Sequence, residues 1–169
     1  MSEHKAEFRS SVVALMPKLR RFAFSLCGTA HDADDLVQSA IERALKNEAQ
    51  WRPESRLDSW MYRIVQNLWI DQSRQRRSRG EVVPIEDLIS ATGEDGRNTM
   101  RNRSAAAKAM AAFADLSPEI KAAAALVIIN GDSYREAADA LDVPLGTIAS
   151  RVARARIALE TALNDEDDL

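Results

Sequence analysis

The chain has 169 residues, a formal net charge of −3 and one cysteine, Cys27. One cysteine excludes an internal disulfide framework, and no cluster of cysteine and histidine has zinc-ligand spacing, so neither a stapled secreted domain nor a metal module is expected. No apolar run reaches the length of a membrane span, and the opening MSEHKAEFRSS lacks the apolar stretch of a signal peptide. The expected setting is the reducing cytoplasm, without membrane insertion.

Few aromatics, sparse Gly and Pro, and abundant Ala, Leu and Arg favour an all-α fold. From Lys5 to Leu26 apolar residues recur at helical spacing (Phe8, Val12, Leu15, Leu19, Phe22, Leu26), with Pro17 expected to kink or restart the helix and Gly28 to close it. A second helix is expected near His31 and Asp32, with Asp32 as its cap and Asp34 and Asp35 at the positive end of its dipole. Asn47 to Ser55, which carries Pro53, reads as a loop. Leu57, Trp60, Met61, Ile64, Val65, Leu68 and Trp69 mark a third helix that runs into the arginine-rich stretch Arg74 to Arg79.

Residues 80–103 lose periodicity and collect Gly, Pro, Ser, Thr, Asn and acid, the composition of a flexible linker. They divide the chain into an expected first domain over 1–79 and a second over 104–169. In the second, Ala105 to Ala114 is alanine-rich and helical. Ser117 and Pro118 start a helix that stops at Asn130-Gly131. Ser133 and Glu136 have capping-box spacing and open a short helix ending at Leu141. Asp142 to Gly146 is a tight turn, and Thr147 begins a last helix to about Leu163.

Two helices joined by a short turn, the second rich in arginine, form a helix-turn-helix pattern. Ile148, Val152, Ala155 and Leu159 give the second helix an inward stripe, leaving Ser150, Arg151, Arg154 and Arg156 outside it for phosphates or base edges. The same arginines also suit a plain helical bundle with a solvated face, so spacing alone leaves both readings open.

Longer motifs narrow the choice. Leu116-Ser-Pro-Glu119, Ser133-Tyr-Arg-Glu-Ala-Ala138, Leu141-Asp-Val-Pro-Leu-Gly-Thr147 and Ser150-Arg-Val-Ala-Arg-Ala-Arg156 resemble region 4 of extracytoplasmic-function (ECF) sigma factors. Asp32-Ala-Asp-Asp-Leu-Val-Gln38 with Ala40-Ile-Glu-Arg-Ala-Leu45 resembles that family's region 2 polymerase-binding helix, and Trp60-Met-Tyr-Arg-Ile-Val-Gln-Asn67 with Asp71 and Arg74 resembles its promoter-melting helix. The resemblance covers most of residues 8 to 163. It implies an RNA polymerase core partner, whose clamp coiled coil would meet Asp32, Asp35, Leu36, Gln38 and Arg43. It implies promoter DNA, with Trp51, Arg56, Arg63, Asn67, Arg74, Arg76 and Arg77 at the minus-ten element and Thr147, Ser150, Arg151, Arg154 and Arg156 at the minus-thirty-five element. A cognate anti-sigma factor and a role in stress-responsive transcription are implied as well.

Some of these roles have ordinary competitors. Asp32 and Asp35 also suit the helix dipole, Trp51 can stack on a base or seal the core, and Arg74 to Arg79 can be a solvated charge run. Ala149 and Ala153 stand where many relatives carry longer side chains, which weakens the expected upstream recognition. A sigma-mimicking regulator that binds an anti-sigma factor without DNA is the alternative function; it would not need arginines on the last helix. No catalytic constellation, phosphate-cradling glycine loop or cofactor motif is found.

Overall fold

The computed structural model describes residues 2–81 and 99–164, and every regular element among them is helical. They are α1 (Ser2–Cys27), α2 (Ala30–Lys46), a 3₁₀ turn at Glu48–Gln50, α3 (Leu57–Ser78), α4 (Thr99–Asp115), α5 (Pro118–Ala124) continuing as a π turn (Ala125–Ile129), α6 (Tyr134–Leu141) and α7 (Leu145–Asn164). Most of the linker expected over 80–103 lies outside the described residues, and α4 begins at Thr99, before the expected start at Ala105.

Helix α1 does not restart at Pro17. A proline frees the carbonyl four residues earlier, here that of Val13, whose side chain is 61% exposed, so the freed group lies on the solvent side of the helix. Gly28 takes φ 80°, a conformation that suits glycine, and turns the chain into α2. The cap of α2 is Thr29, not Asp32: the Thr29 hydroxyl accepts the Asp32 N–H at 3.2 Å. That arrangement leaves the Asp32 carboxylate available elsewhere.

In the second half, Ser117 occupies the cap of α5 but makes no side-chain cap bond; its carbonyl accepts the Lys121 N–H at 2.9 Å. The helix ends as a π turn in which the Asn130 N–H reaches the Ala125 carbonyl at 2.9 Å. The capping box of α6 forms on both sides, with Ser133 Oγ accepting the Glu136 N–H and Glu136 Oε2 accepting the Ser133 N–H. Asp142, at φ 54°, makes the turn. Helix α7 begins at Leu145, two residues before Thr147, because the Pro144 carbonyl accepts both the Thr147 and Ile148 N–H groups.

Helices α1, α2 and α3 pack on one another, and α4, α5 and α6 pack on α7. The groups meet where α3 lies along α6 and α1 meets the π turn. One apolar core runs through both, from Phe8, Phe22, Leu36 and Val65 to Leu126, Ile148 and Val152. The alanines at 122, 123 and 125 in this core are fully buried and let backbones approach closely. Lys121, almost fully buried, donates from Nζ to the Ala114 carbonyl at 2.8 Å and sits 5.5 Å over the Trp69 ring. Burial pushes the pKa of this lysine down, and the cation–π contact offsets part of the cost of the buried charge.

Cys27 lies at the end of α1. Burial and the nearby Asp32 carboxylate push its thiol up to about 12, against the opposing charges of Arg76 and Lys121. Nucleophilic attack needs the thiolate, so alkylation of folded Cys27 at pH 8 should run more than about a hundredfold slower than that of the urea-unfolded chain. Timed maleimide labelling followed by mass measurement checks this, and equal rates would remove Cys27 from the packed interior.

Candidate functional site

Three exposed faces carry the residues singled out above. On α2, Asp35, Gln38 and Arg43 are exposed. Leu36 is not: it is fully buried among the core residues, so its place in the resemblance to a polymerase-contacting helix reflects packing rather than direct contact. Asp35 and Gln38 share their side of the helix with Glu42, which sequence reading passed over; Gln38 Nε2 donates to Glu42 Oε1 at 3.4 Å. Arg43 sits on a different flank. Asp34 is tied to Arg20 of α1 at 2.8 Å.

Asp32 faces α3. Its carboxylate accepts from both Arg76 Nη atoms, at 3.3 and 3.4 Å. Partial burial pushes this carboxyl up, but the Arg76 hydrogen bonds and charge, with the Thr29 hydroxyl, outweigh it and hold it below the usual aspartate range. Asp32 and Arg76, assigned from the sequence to two different surfaces, therefore bind each other and join α2 to the end of α3.

On α3, Met61, Tyr62, Val65 and Trp69 form the buried stripe. Arg63, Asn67 and Arg74 are spaced so that they line the opposite side, with Arg77 beside them, and Asn67, Arg74 and Arg77 are exposed. This is one continuous basic and amide-bearing strip of the kind that tracks a nucleic-acid backbone. Trp51 stands apart from it. Its ring packs 5.4 Å from Phe8 and stacks at 6.4 Å on His4, so it covers the end of the apolar core. Of the two roles open to Trp51, the structure supplies the sealing one.

On α7, Ile148, Val152 and Ala155 are buried, as their spacing predicts. Thr147, Ser150, Arg151 and Arg154 share one side of the helix, with Ser150 and Arg154 exposed and Thr147 and Arg151 half-buried. Arg156 does not share it. It is nine residues beyond Thr147, about two and a half turns, and so projects from the far side.

The rim of the seam between the two halves is polar. Arg56 bonds Asp58 of its own helix start and reaches Glu136 of α6 at 3.2 Å, while Arg63 donates to the Asp139 carbonyl at 2.8 Å. Asn130 Nδ2 donates to the Tyr62 hydroxyl at 3.3 Å. Burial and the Asp132 charge push the Tyr62 phenol up to about 12, so it is neutral at any physiological pH. Asp132 itself is pushed up by burial and by Glu136. Among the described residues no group of His, Cys, Asp and Glu has the arrangement of a metal site, and no helix is long and apolar enough to cross a membrane.

Known proteins share this arrangement. The Sigma-70 region 2 family model matches residues 12–79, which take in most of α1 and all of α2 and α3. The chain is 36% identical over 155 residues to the ECF RNA polymerase sigma factor EcfG of Rhodopseudomonas palustris, covering 92% of this chain and 84% of that one. This chain belongs to the ECF RNA polymerase sigma factors. The sigma factor is also 35% identical to SigE of Mycolicibacterium smegmatis over 82% of its own length, spanning only 54% of that longer relative. In three dimensions it is similar to the sigma factor RpoE of Bartonella quintana, solved in complex with the anti-sigma factor NepR. The TM-score is 0.72 at 29% identity, over 95% of this chain and 98% of that one. The likeness to RpoE thus spans both halves of the sigma factor, whereas the region 2 match covers the first.

Proposed function

We propose that this sigma factor binds RNA polymerase core through the exposed face of α2 and directs initiation at promoters read by two basic surfaces. Residues 1–79 form the polymerase-binding and minus-ten module, and residues 104–169 the minus-thirty-five module. The observation that carries the reading is the alignment of Arg63, Asn67 and Arg74 on α3, opposite a buried stripe, and of Thr147, Ser150, Arg151 and Arg154 on α7, along the flank of one. Arginines so placed can meet phosphates and base edges without leaving the core. The acidic face of α2, with Asp35 and Glu42, complements a basic clamp coiled coil. The reading gives the protein no catalytic step and places it in the cytoplasm with the polymerase.

RpoE was crystallised with an anti-sigma factor, which supports a cognate anti-sigma factor for this chain. A mimic that only sequesters such a factor would have no use for the arginines on α7. The deciding experiment is transcription from a promoter library with purified core enzyme and this chain. Transcripts from a defined set of start sites are expected, sharing one downstream and one upstream motif. Core that gains no promoter specificity from the chain, while the chain still binds an anti-sigma factor, would favour the mimic.

A further inference from the structure

Ile157 is 63% exposed, more than any other large apolar side chain among the described ones. Single apolar residues are ordinary on a protein surface, so exposure alone assigns nothing. Its place on α7 does. At about 100° per residue, Ile157 falls directly opposite the middle of the buried Ile148, Val152 and Ala155, within about 20° of Ser150 and about 60° of Arg154. It therefore continues the side proposed to face DNA, about 10 Å further along the axis than Ser150, the span of about three base-pair steps.

The neighbours shape what this side chain can touch. Ser150 and Ala153, both short and exposed, precede it by two turns and one turn, so the helix backbone can approach a groove floor closely enough for an aliphatic chain to reach it. Thr161, one turn later, donates from its hydroxyl to the Ile157 carbonyl at 2.8 Å, which turns that hydroxyl back onto the helix. Exposed Glu160 marks the edge of the face, because phosphates repel a carboxylate. Arg151 and Arg154 supply the positive charge that holds a duplex against this side, so the surroundings of Ile157 fit nucleic acid.

The major groove displays donors and acceptors on every base pair but only one apolar group, the C5-methyl of thymine. An isoleucine pressed on the polar edge of another base strips it of water and returns no hydrogen bond. We propose that Ile157 reads a thymine of the upstream promoter element through its methyl group, a specificity contact beyond those of the arginine-bearing positions. The proposal rests on the sigma-factor reading of α7 and extends it to a residue just past the motif that carries that reading. It offsets part of the base-reading surface that Ala149 and Ala153 forgo.

The test uses holoenzyme assembled from core enzyme and the full chain, titrated against its preferred promoter fragment. Each thymine of the upstream element is replaced in turn by deoxyuridine, which lacks only the methyl. At one position the replacement should weaken binding of the unmodified holoenzyme about three- to fivefold, the effect of burying one methyl. Ile157→Ala should weaken binding to the thymine fragment about three- to tenfold, and deoxyuridine at that position should then cause no further loss. Ile157→Val, which keeps the branch, should fall between. Losses that add at every thymine would overturn the proposal, as would an Ile157→Ala holoenzyme that binds as tightly as the unmodified one. So would weaker binding of Ile157→Ala to core or to an anti-sigma factor with the promoter contacts unchanged, which would give the side chain to a protein partner. The unmodified holoenzyme separates these failures from that of the functional reading: if it prefers no upstream element at all, the reading of α7 falls and this contact with it.

Discussion

Replacing Phe22 with alanine is expected to lower the free energy of unfolding by about 3–5 kcal/mol, a large share of what a chain of this size has to lose. Phe22 is fully buried in the C-terminal part of α1 and makes an edge-to-face contact with Tyr62, with centroids 5.1 Å apart and planes 74° apart. Alanine forfeits the transfer of the ring from water, the edge-to-face contact and the dispersion contacts of its neighbours, and leaves a cavity that three mutually packed helices cannot collapse to fill. The loss also reaches the seam, because the Tyr62 hydroxyl on the same ring accepts from Asn130. Urea unfolding followed by far-ultraviolet circular dichroism should show a lower midpoint with one transition retained, since a single apolar core links both halves. Ile157→Ala, at a position 63% exposed, serves as the control and should change stability by less than about 0.5 kcal/mol. A Phe22→Ala effect as small as that of the control would mean that α1 does not pack as described.

Much of the fold is legible in the sequence because helices announce themselves locally. The apolar stripes of α1, α3 and α7, the capping box at Ser133 and Glu136 and the stop at Asn130-Gly131 are all decided within a few residues of chain. Local signals mislead where several residues compete for one job. Thr29 and Asp32 are both good caps, and the choice fell to Thr29 while Arg76, 44 residues away, engaged the Asp32 carboxylate. A motif match carries packing and contact residues together without distinguishing them, which is why buried Leu36 stood beside exposed Asp35 among the polymerase-contact candidates.

The candidate site is legible in its composition but not in its state. The sequence places arginines at the start of α3 and along its outer side. That two of them are held by α6 depends on pairs 76 and 80 residues apart, which no periodicity encodes. The same limit applies to the apolar seam, where Lys121 of α5 rests on Trp69 of α3. A reading that treats the two halves as independent units has no reason to bring those side chains together.

Replacing Arg154 with alanine should weaken binding of the holoenzyme to its preferred promoter by about 1–3 kcal/mol, roughly 5- to 150-fold, whereas Arg156→Ala should change it by less than about twofold. The sequence alone places both arginines outside the inward stripe. Helical geometry separates them: Arg154 lies with Thr147, Ser150 and Arg151 on one side of α7, and Arg156 falls on the other, beyond the buried Val152 and Ala155. Ala149 and Ala153 leave the α7 surface short of long side chains, so the loss of one of the two arginines on that side, Arg151 and Arg154, removes a large fraction of what can reach a base edge. If Arg154 contacts a guanine, the effect should vanish when the upstream element is scrambled; if it contacts a phosphate, binding should weaken on every sequence and the salt dependence should become shallower by about one unit. Titrations of promoter fragments with the intact and scrambled element at two salt concentrations distinguish the two. Equal losses from Arg154→Ala and Arg156→Ala would mean that α7 does not enter the groove by the side described, and would return the helix to the solvated-bundle reading.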